Sequence, residues 1–438
     1  MSGLGAALSL GAPAFEADRT PGGVCYSSYL DENGSLRDPA SESVADCFRF
    51  ERAGGHWLFG AGAPLLKWFG KYASFRAYER RAAVFFPAQG WLVPYPIQEH
   101  LRCFPDPLRT RAVSEILNGL EAPTSAPATF KEWLRTHFGP TLCELFFFPF
   151  NDRYTAGLYA ETAPQDAYKT PIAKDRVLQG AERAGPSSGY NAAFHYPVAG
   201  LDAFVRALAE KARVHCRHEV VRIDTTQRIV HFANGASCEF EALVCSLPLD
   251  RTLALSGLSA GTAADPSTAV LVVNIAATVG PACPDVHWLY LSHSASGLHR
   301  VGFYSNVDPA FLPERRRKPL DMVSLYAERS YRADQLPTSE QVAQVCRAVV
   351  AELQEWGFIG DPIVVHPTLT NPAYTWTQPR SDWVERGCRA LRDRGVRQIG
   401  RYGLWRFQGM ADSFQQGFLT RPESARSQPL IHRTGEST

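Results

Sequence analysis

Gly3-Leu4-Gly5-Ala6-Ala7 and, shortly after it, Ala14-Phe15-Glu16-Ala17-Asp18-Arg19-Thr20-Pro21-Gly22-Gly23 form the stretch whose reading decides the fold. The small residues from Gly3 to Leu10 read as a helix, and Ala14-Phe15-Glu16 as the end of a short buried strand. Gly3 matches the last glycine of G-x-G-x-x-G, and the residues after it match the first turn of the helix that faces a dinucleotide pyrophosphate. Glu16 then stands where the carboxylate for ribose hydroxyls belongs, roughly twenty residues after the first fingerprint glycine. A Gly22-Gly23 turn soon afterwards lets backbone approach phosphates closely. A plain helix-to-strand turn accounts for the same residues. By this count the first glycine of the fingerprint falls ahead of Met1. The expectation is therefore that the first strand and two glycines of the fold are missing from this chain, which weakens its cofactor site.

Outward from that stretch, residues 61–150 are rich in Leu, Phe, Trp and Arg at helical spacing and read as a helical insert. Leu201, Phe204, Val205 and Leu208 mark one face of an amphipathic helix over 201–212. Strands follow at 219–224, 228–233 and 239–246, with Asn234-Gly235 as a hairpin turn. Further strand-like runs occupy 268–330, and helices are expected over 341–356 and 381–394. This mixture makes an α/β protein whose dinucleotide domain is assembled from separated stretches.

Composition narrows the function classes. The 438 residues are 45% hydrophobic and 20% charged, an ordinary globular balance in a chain long enough for two or three domains. A net charge of +1 gives no electrostatic grip on nucleic acid or a membrane surface. The basic run Arg315–Lys318 follows a Pro-Glu turn and reads as a solvated loop. Ten cysteines include no CxxC pair and lie near no His-rich segment, so no metal site is expected. The longest apolar run, 269–279, is too short to span a bilayer, and no secretory signal is evident. A reduced, cytoplasmic protein is the simplest expectation. Gly185-Pro186-Ser187-Ser188-Gly189 matches G-x-S-x-G without the flanking strand and helix that a nucleophile elbow needs. Asp31-Glu32-Asn33-Gly34 lacks the later ligands of a calcium loop.

Further motifs, in chain order, carry a resemblance. They are Gly54-Gly55-His56-Trp57-Leu58-Phe59, Val93-Pro94-Tyr95-Pro96-Ile97-Gln98, Phe148-Pro149-Phe150-Asn151, Asn191 to Pro197, Trp288-Leu289-Tyr290, Arg300 to Asn306, and Gly400-Arg401 to Asp412-Ser413. Together they resemble the UDP-galactopyranose mutases, within the FAD-dependent amine oxidase and protoporphyrinogen oxidase class, over nearly the whole chain. The resemblance implies a discontinuous Rossmann-like FAD-binding domain from 1–60, 195–250 and 386–438. A helical domain, 61–150, and a β-rich substrate domain, 251–385, flank it.

For the site, the resemblance implies cofactor contacts from Gly3, Glu16, Arg19, Gly22, Gly23, Gly55, Gly400, Arg401, Asp412 and Ser413. It places His56 beside the flavin, and Arg176 and Arg300 on the substrate diphosphate. Tyr95, Gln98, Asn191, Trp288, Tyr290, Asn306 and Tyr374 would hold the rest of the substrate. The residue types agree: arginine forks suit phosphate oxygens, and aromatic rings beside an amide suit a stacked uracil. Plainer readings stand beside these: a structural histidine for His56, surface ion pairs for Arg300 and Arg176, and core packing for the Trp288/Tyr290 alternation. Val307 and Phe407 stand where the family usually carries tyrosines on the diphosphate, whereas Tyr374 matches a third.

The implied reaction is a pyranose–furanose interconversion of a nucleotide sugar with no net redox change. It is run by flavin kept reduced by NAD(P)H or another reductant. An oxidoreductase of the amine-oxidase kind and a truncated, non-catalytic homologue are the alternatives.

Overall fold

The apolar run 269–279 belongs to the central element of the architecture. It lies in a strand, Ser267–Val279, whose side chains alternate between two cores. Val270, Val272 and Ala276 join one hydrophobic cluster, and Leu271, Val273, Ile275 and Ala277 join another. Both faces are buried, which is why the sequence there reads as an apolar run broken by Asn274 and Thr278 alone. The structure, a computed structural model, describes residues 1–421 apart from 41, 122–126, 166–171, 186–188, 190 and 319–320. In it this strand is second in a seven-stranded sheet. From one edge the order is Ile359–Thr375, Ser267–Val279, Met322–Arg332, Arg300–Phe303, Trp288–Leu291, Ala82–Phe86, Trp91–Pro94. Neighbours are antiparallel except Trp288–Leu291 against Ala82–Phe86. The helix Ser339–Glu355, opened by a Thr338/Gln341 capping box, covers one face through Val345, Val349 and Leu353.

The other half is organised around the helix Ser2–Leu10, which ends at Gly11 in the left-handed conformation. It packs against the helix Met410–Leu419 at a distance that only glycine permits. A Cβ on Gly5 would stand 2.4 Å from the Phe414 carbonyl oxygen, and one on Gly417 would stand 2.0 Å from that of Ser2. Ala14–Phe15 pairs in parallel with Val214–His215, and Leu243–Cys245 with Val396–Gln398. Among the described residues no strand joins these two pairs. The result is the mixed α/β fold that the pattern implied, with parallel pieces drawn from separated stretches.

Several local readings hold. Leu201–Ala209 is a helix with Leu201, Phe204, Val205 and Leu208 buried. Asn234-Gly235 turns the antiparallel pair Ile229–Phe232 and Ser237–Glu239, with Gly235 at φ 83°. Asp31 closes a turn by accepting from the Asn33 and Ser35 amides. Arg315 and Arg316 pair with Glu32, and Arg317 pairs with Glu314. All ten cysteines are free thiols. Among the described residues no helix is long and apolar enough to cross a membrane. Ser187 of the G-x-S-x-G match and residues 422–438 lie outside the described residues.

Other readings need correction. Residues 61–150 are not helical throughout: strands Phe75–Glu79, Ala82–Phe86 and Trp91–Pro94 precede the helices Asp106–Glu121 and Phe130–Leu142. Ala82–Phe86 becomes a strand by pairing with Trp288–Leu291, a partner far along the chain that local spacing does not reveal. The strand Ala14–Phe15 is less buried than expected, Phe15 being 37% exposed. Ile359–Thr375 leaves no clear strand signal because Pro362, Pro367 and Pro372 interrupt it. It is an edge strand, where missing donors are tolerated.

Candidate active site

A cavity of about 440 Å³ opens between the two halves. One end is formed by the first turn of the amino-terminal helix (Ser2, Gly3, Leu4), by Ala14–Glu16, and by the turn from Pro21 to Cys25. Gly22 has φ 128°, and a Cβ there would meet the Cys25 carbonyl oxygen at 2.8 Å. Gly23 has φ 60°, with nothing within 4 Å of where a Cβ would be. The Glu16 carboxylate accepts from the Asp18 amide at 3.0 Å. Gln408, Gly409, Met410 and Ser413 close this end from the carboxyl-terminal side.

At the middle lies the Gly54-Gly55-His56 loop, which follows the strand Phe48–Glu51. Gly54 has φ 80°, and a Cβ on it would stand 2.3 Å from Glu328 Oε1. A Cβ on Gly55 would stand 2.3 Å from the Tyr326 hydroxyl oxygen. Both glycines are therefore demanded by close approach to the sheet. His56 Nδ1 lies 3.0 Å from the Gly54 carbonyl oxygen, and burial lowers its imidazole to about 4, so the ring is neutral near pH 7.

Two guanidinium groups face the same space. Arg300 donates Nε–H to Glu328 Oε2 at 2.8 Å and Nη2–H to Oε1 at 2.7 Å. Burial raises the Glu328 carboxyl, but the Arg300 guanidinium and His299 outweigh it and hold it at about 2. Arg401 lies between the Phe407 ring, at 4.7 Å, and the Tyr374 ring, at 4.9 Å, and donates to the Ala373 carbonyl oxygen at 2.9 Å.

The far end is aromatic. Tyr95 and Tyr290 lie 4.6 Å apart, Phe150 is 5.4 Å from Tyr290, and Tyr154 is 4.8 Å from Tyr374 and 5.5 Å from Trp376. Buried Arg80 braces this wall. It donates to Asn191 Oδ1 and to the Tyr95 carbonyl oxygen, and its guanidinium stands over the Tyr95 ring. Phe147, Phe150, Asn151 and Tyr154 reach the cavity from one helical face. Their spacing of i, i+3, i+4, i+7 is a sequence signal that the motif reading passed over. Trp376 follows the strand Ile359–Thr375 directly and stands two residues after Tyr374, an alternation that would have found it.

Thus the structure gathers Gly3, Glu16, Gly22, Gly23, Gly55, His56, Tyr95, Asn191, Tyr290, Arg300, Tyr374, Arg401 and Ser413 on one wall. Others stand apart from it. Arg176, on the helix Lys174–Glu182, pairs with Glu99 at 3.4 Å. Arg19 is exposed. Gln98 is buried, and Trp288 is a core ring packed by Phe59 and Phe194. Asn306 donates to the Pro284 and Val286 carbonyl oxygens. Asp412 caps the helix Met410–Leu419 by accepting from the Gly409 amide. Gly400, at φ 79°, fits against Ser2 Oγ, which a Cβ would meet at 2.3 Å. Val307 is buried in the core, so that position does not face the cavity.

The glycine-built end fits an adenine dinucleotide. Helix amides from Ser2 to Leu4 suit the pyrophosphate, Glu16 the ribose hydroxyls, and the Gly22-Gly23 turn a close backbone approach. Among solved structures the chain is similar to a reduced UDP-galactopyranose mutase, at 22% identity and a TM-score of 0.78, covering 95% of this chain and 92% of that one. It is also similar to cyclohexylamine oxidase from Brevibacterium oxydans IH-35A, at 14% identity and a TM-score of 0.57, covering 95% of each chain. A putrescine oxidase bound to putrescine matches at 14% identity and a TM-score of 0.54, again covering 95% of each. The family of flavin-containing amine oxidoreductases matches residues 1–388. The chain belongs to that family, and its cofactor is FAD.

Proposed function

We propose that this flavoenzyme acts on a nucleotide sugar, as a UDP-galactopyranose mutase-like isomerase interconverting pyranose and furanose forms. The observation that carries the reading is the pair of guanidinium groups, Arg300 and Arg401, on a wall whose sole carboxylate among the described residues is Glu16, at the dinucleotide end. Glu328, behind the wall, balances the charge of Arg300, so the pair leaves a net positive charge of about one and two sets of donors, which favour an anion such as a diphosphate. The same net positive charge disfavours a protonated amine, which would meet the guanidinium donors with no carboxylate lining the wall beside them among the described residues.

In this reading Arg300 holds the diphosphate together with Arg401, which the resemblance assigned to the cofactor, and Tyr374 lies beside them. Arg176 contributes less, since it faces Glu99 away from the wall. Tyr95, Tyr290 and Asn191 surround the base, the rings by stacking and the amide by hydrogen bonding. His56, neutral and fixed on the Gly54 carbonyl oxygen, orients the loop beside the flavin without adding charge. The flavin, kept reduced by NAD(P)H or another reductant, supplies the nucleophilic and electron-rich chemistry. The protein supplies orientation and exclusion of water.

The test is direct. Dithionite-reduced protein is mixed with UDP-galactose under anaerobic conditions and the nucleotide sugars are separated chromatographically. Furanose product supports the isomerase. No furanose, together with hydrogen peroxide released in air from an amine, overturns it in favour of an oxidase.

A further inference from the structure

Arg300 and Glu328 are direct cross-strand partners in the register of Arg300–Phe303 against Met322–Arg332, so the sheet itself delivers one to the other. Their contact is a two-point fork through Nε and Nη2. The carboxylate is held from a second direction by His299 Nε2 at 3.2 Å, while the His299 amide donates to the Glu328 carbonyl oxygen at 3.0 Å. From a third side Gly54 presses on it, leaving no room even for a Cβ. Glu328 is 1% exposed and cannot shift without moving the Gly54-Gly55 loop or the neighbouring strand.

Among the described residues the hydrogen bonds of Arg300 use Nε and Nη2. Both hydrogens of Nη1 are thus left for an incoming anion. A free arginine carries a long, rotamer-rich stem, and ordering it costs binding energy each time a ligand arrives. Here that cost is met in the folded state.

We propose that Glu328 is a positioning residue: it clamps Arg300 so that the free edge of the guanidinium is aimed at the phosphate oxygens of a nucleoside diphosphate. The proposal rests on the nucleotide-sugar reading above. It does not require Glu328 to touch substrate.

The experiment uses the full-length, flavin-loaded protein and UDP as the probe, with binding followed by calorimetry and by perturbation of the flavin absorbance. Flavin content and melting temperature are recorded in parallel. Glu328→Gln keeps the shape but loses the charge, and is expected to weaken UDP binding about tenfold with flavin retained. Arg300→Ala is expected to weaken it at least as much. The double variant should be no worse than Arg300→Ala alone, because Glu328 acts only through Arg300. If Glu328→Gln loses flavin, Glu328→Asp carries the test: it keeps the charge, shortens the reach, and should weaken UDP binding measurably.

UDP affinity unchanged in the flavin-loaded Glu328 variant, or losses that simply add in the double variant, overturns the positioning role while leaving the nucleotide-sugar reading intact. Absence of UDP binding by the unaltered protein overturns that reading and this proposal with it.

Discussion

The two ends of the cavity are made of different material. The dinucleotide end is backbone: a helix N-terminus, the Gly22-Gly23 turn and, at its border, Gly54-Gly55, with Glu16 as the one charged side chain. The rest is side chain: two arginines at the middle and, beyond them, aromatic rings packed at tilted or edge-on angles, contributed by strands and helices distant in sequence. A backbone surface binds what every member of a cofactor class shares, phosphates and ribose. A side-chain surface can change residue by residue, so it decides which substrate enters. Substitutions should therefore act through strain and cofactor loss at the first end, and through selective loss of substrate at the second.

The largest effect is expected at Gly54. Alanine there is forced into a left-handed conformation and against Glu328 Oε1, for a cost of about 2 to 5 kcal/mol. Denaturant unfolding should show that loss together with a fall in bound flavin. Gly23→Ala is the control: it has the conformational cost, about 1 to 2 kcal/mol, but no clash. Equal destabilisation by the two would break the argument that close approach is what Gly54 provides.

Next comes the side-chain end. Arg401→Ala removes a guanidinium held between Tyr374 and Phe407, and UDP affinity should fall about tenfold to a hundredfold. Arg176→Ala, which breaks only an ion pair with Glu99, should leave UDP affinity within about twofold. The reverse result, measured by calorimetry, would return Arg176 to the substrate and remove Arg401 from it.

A smaller effect concerns pH. Burial holds His56 at about 4, below the value of 6.5 for a free imidazole. Protonation therefore favours the unfolded chain. Stability is unaffected by His56 above pH 6.5 and declines as the pH falls from 6.5 toward 4, by at most about 1.4 kcal/mol per unit. His287, also lowered to about 4 by burial and by Arg81, titrates in the same window. His56→Gln should remove part of the slope of unfolding free energy between pH 6.5 and 5, not all of it. An unchanged slope would mean that His56 titrates as if exposed.

The same contrast explains what the sequence disclosed. Glycine pairs and a helix start are short-range signals, so Gly3, Glu16, Gly22, Gly23 and the Gly54-Gly55-His56 loop could be placed from local residues alone. The aromatic wall could be placed only where a motif carried it, as at Tyr95, Tyr290 and Tyr374. Tyr154 and Trp376 each lie on a local pattern, the helical spacing from Phe147 and the alternation from Tyr374, but the rings meet through packing between elements distant in the chain. Glu328 was invisible for the same reason, since its importance comes from facing Arg300 across the sheet. Arg176 shows the converse. A suitable residue type after a matching motif suggested a role, but its helix turns the side chain to Glu99. The strands Phe75–Glu79 and Ala82–Phe86 were hidden because pairing partners lie at Ala193–Pro197 and Trp288–Leu291.

The smallest effect sharpens the substrate end further. Two positions depart from the tyrosines expected on a diphosphate, Val307 and Phe407, and only the second lines the cavity. Phe407 also stacks on Arg401 at 4.7 Å, a contact that a tyrosine ring preserves. Phe407→Tyr therefore adds one hydroxyl donor to the wall while leaving the guanidinium in place. A single hydrogen bond to a ligand contributes about 1 kcal/mol net, so UDP affinity should rise up to about fivefold, with melting temperature and flavin content unchanged. The gain should be confined to ligands that carry a diphosphate: uridine, which keeps the base and sugar, should bind the variant and the parent alike. If uridine gains as much as UDP, the new hydroxyl is reading the nucleoside. The arginine pair would then lie at a different point along the substrate from the one proposed.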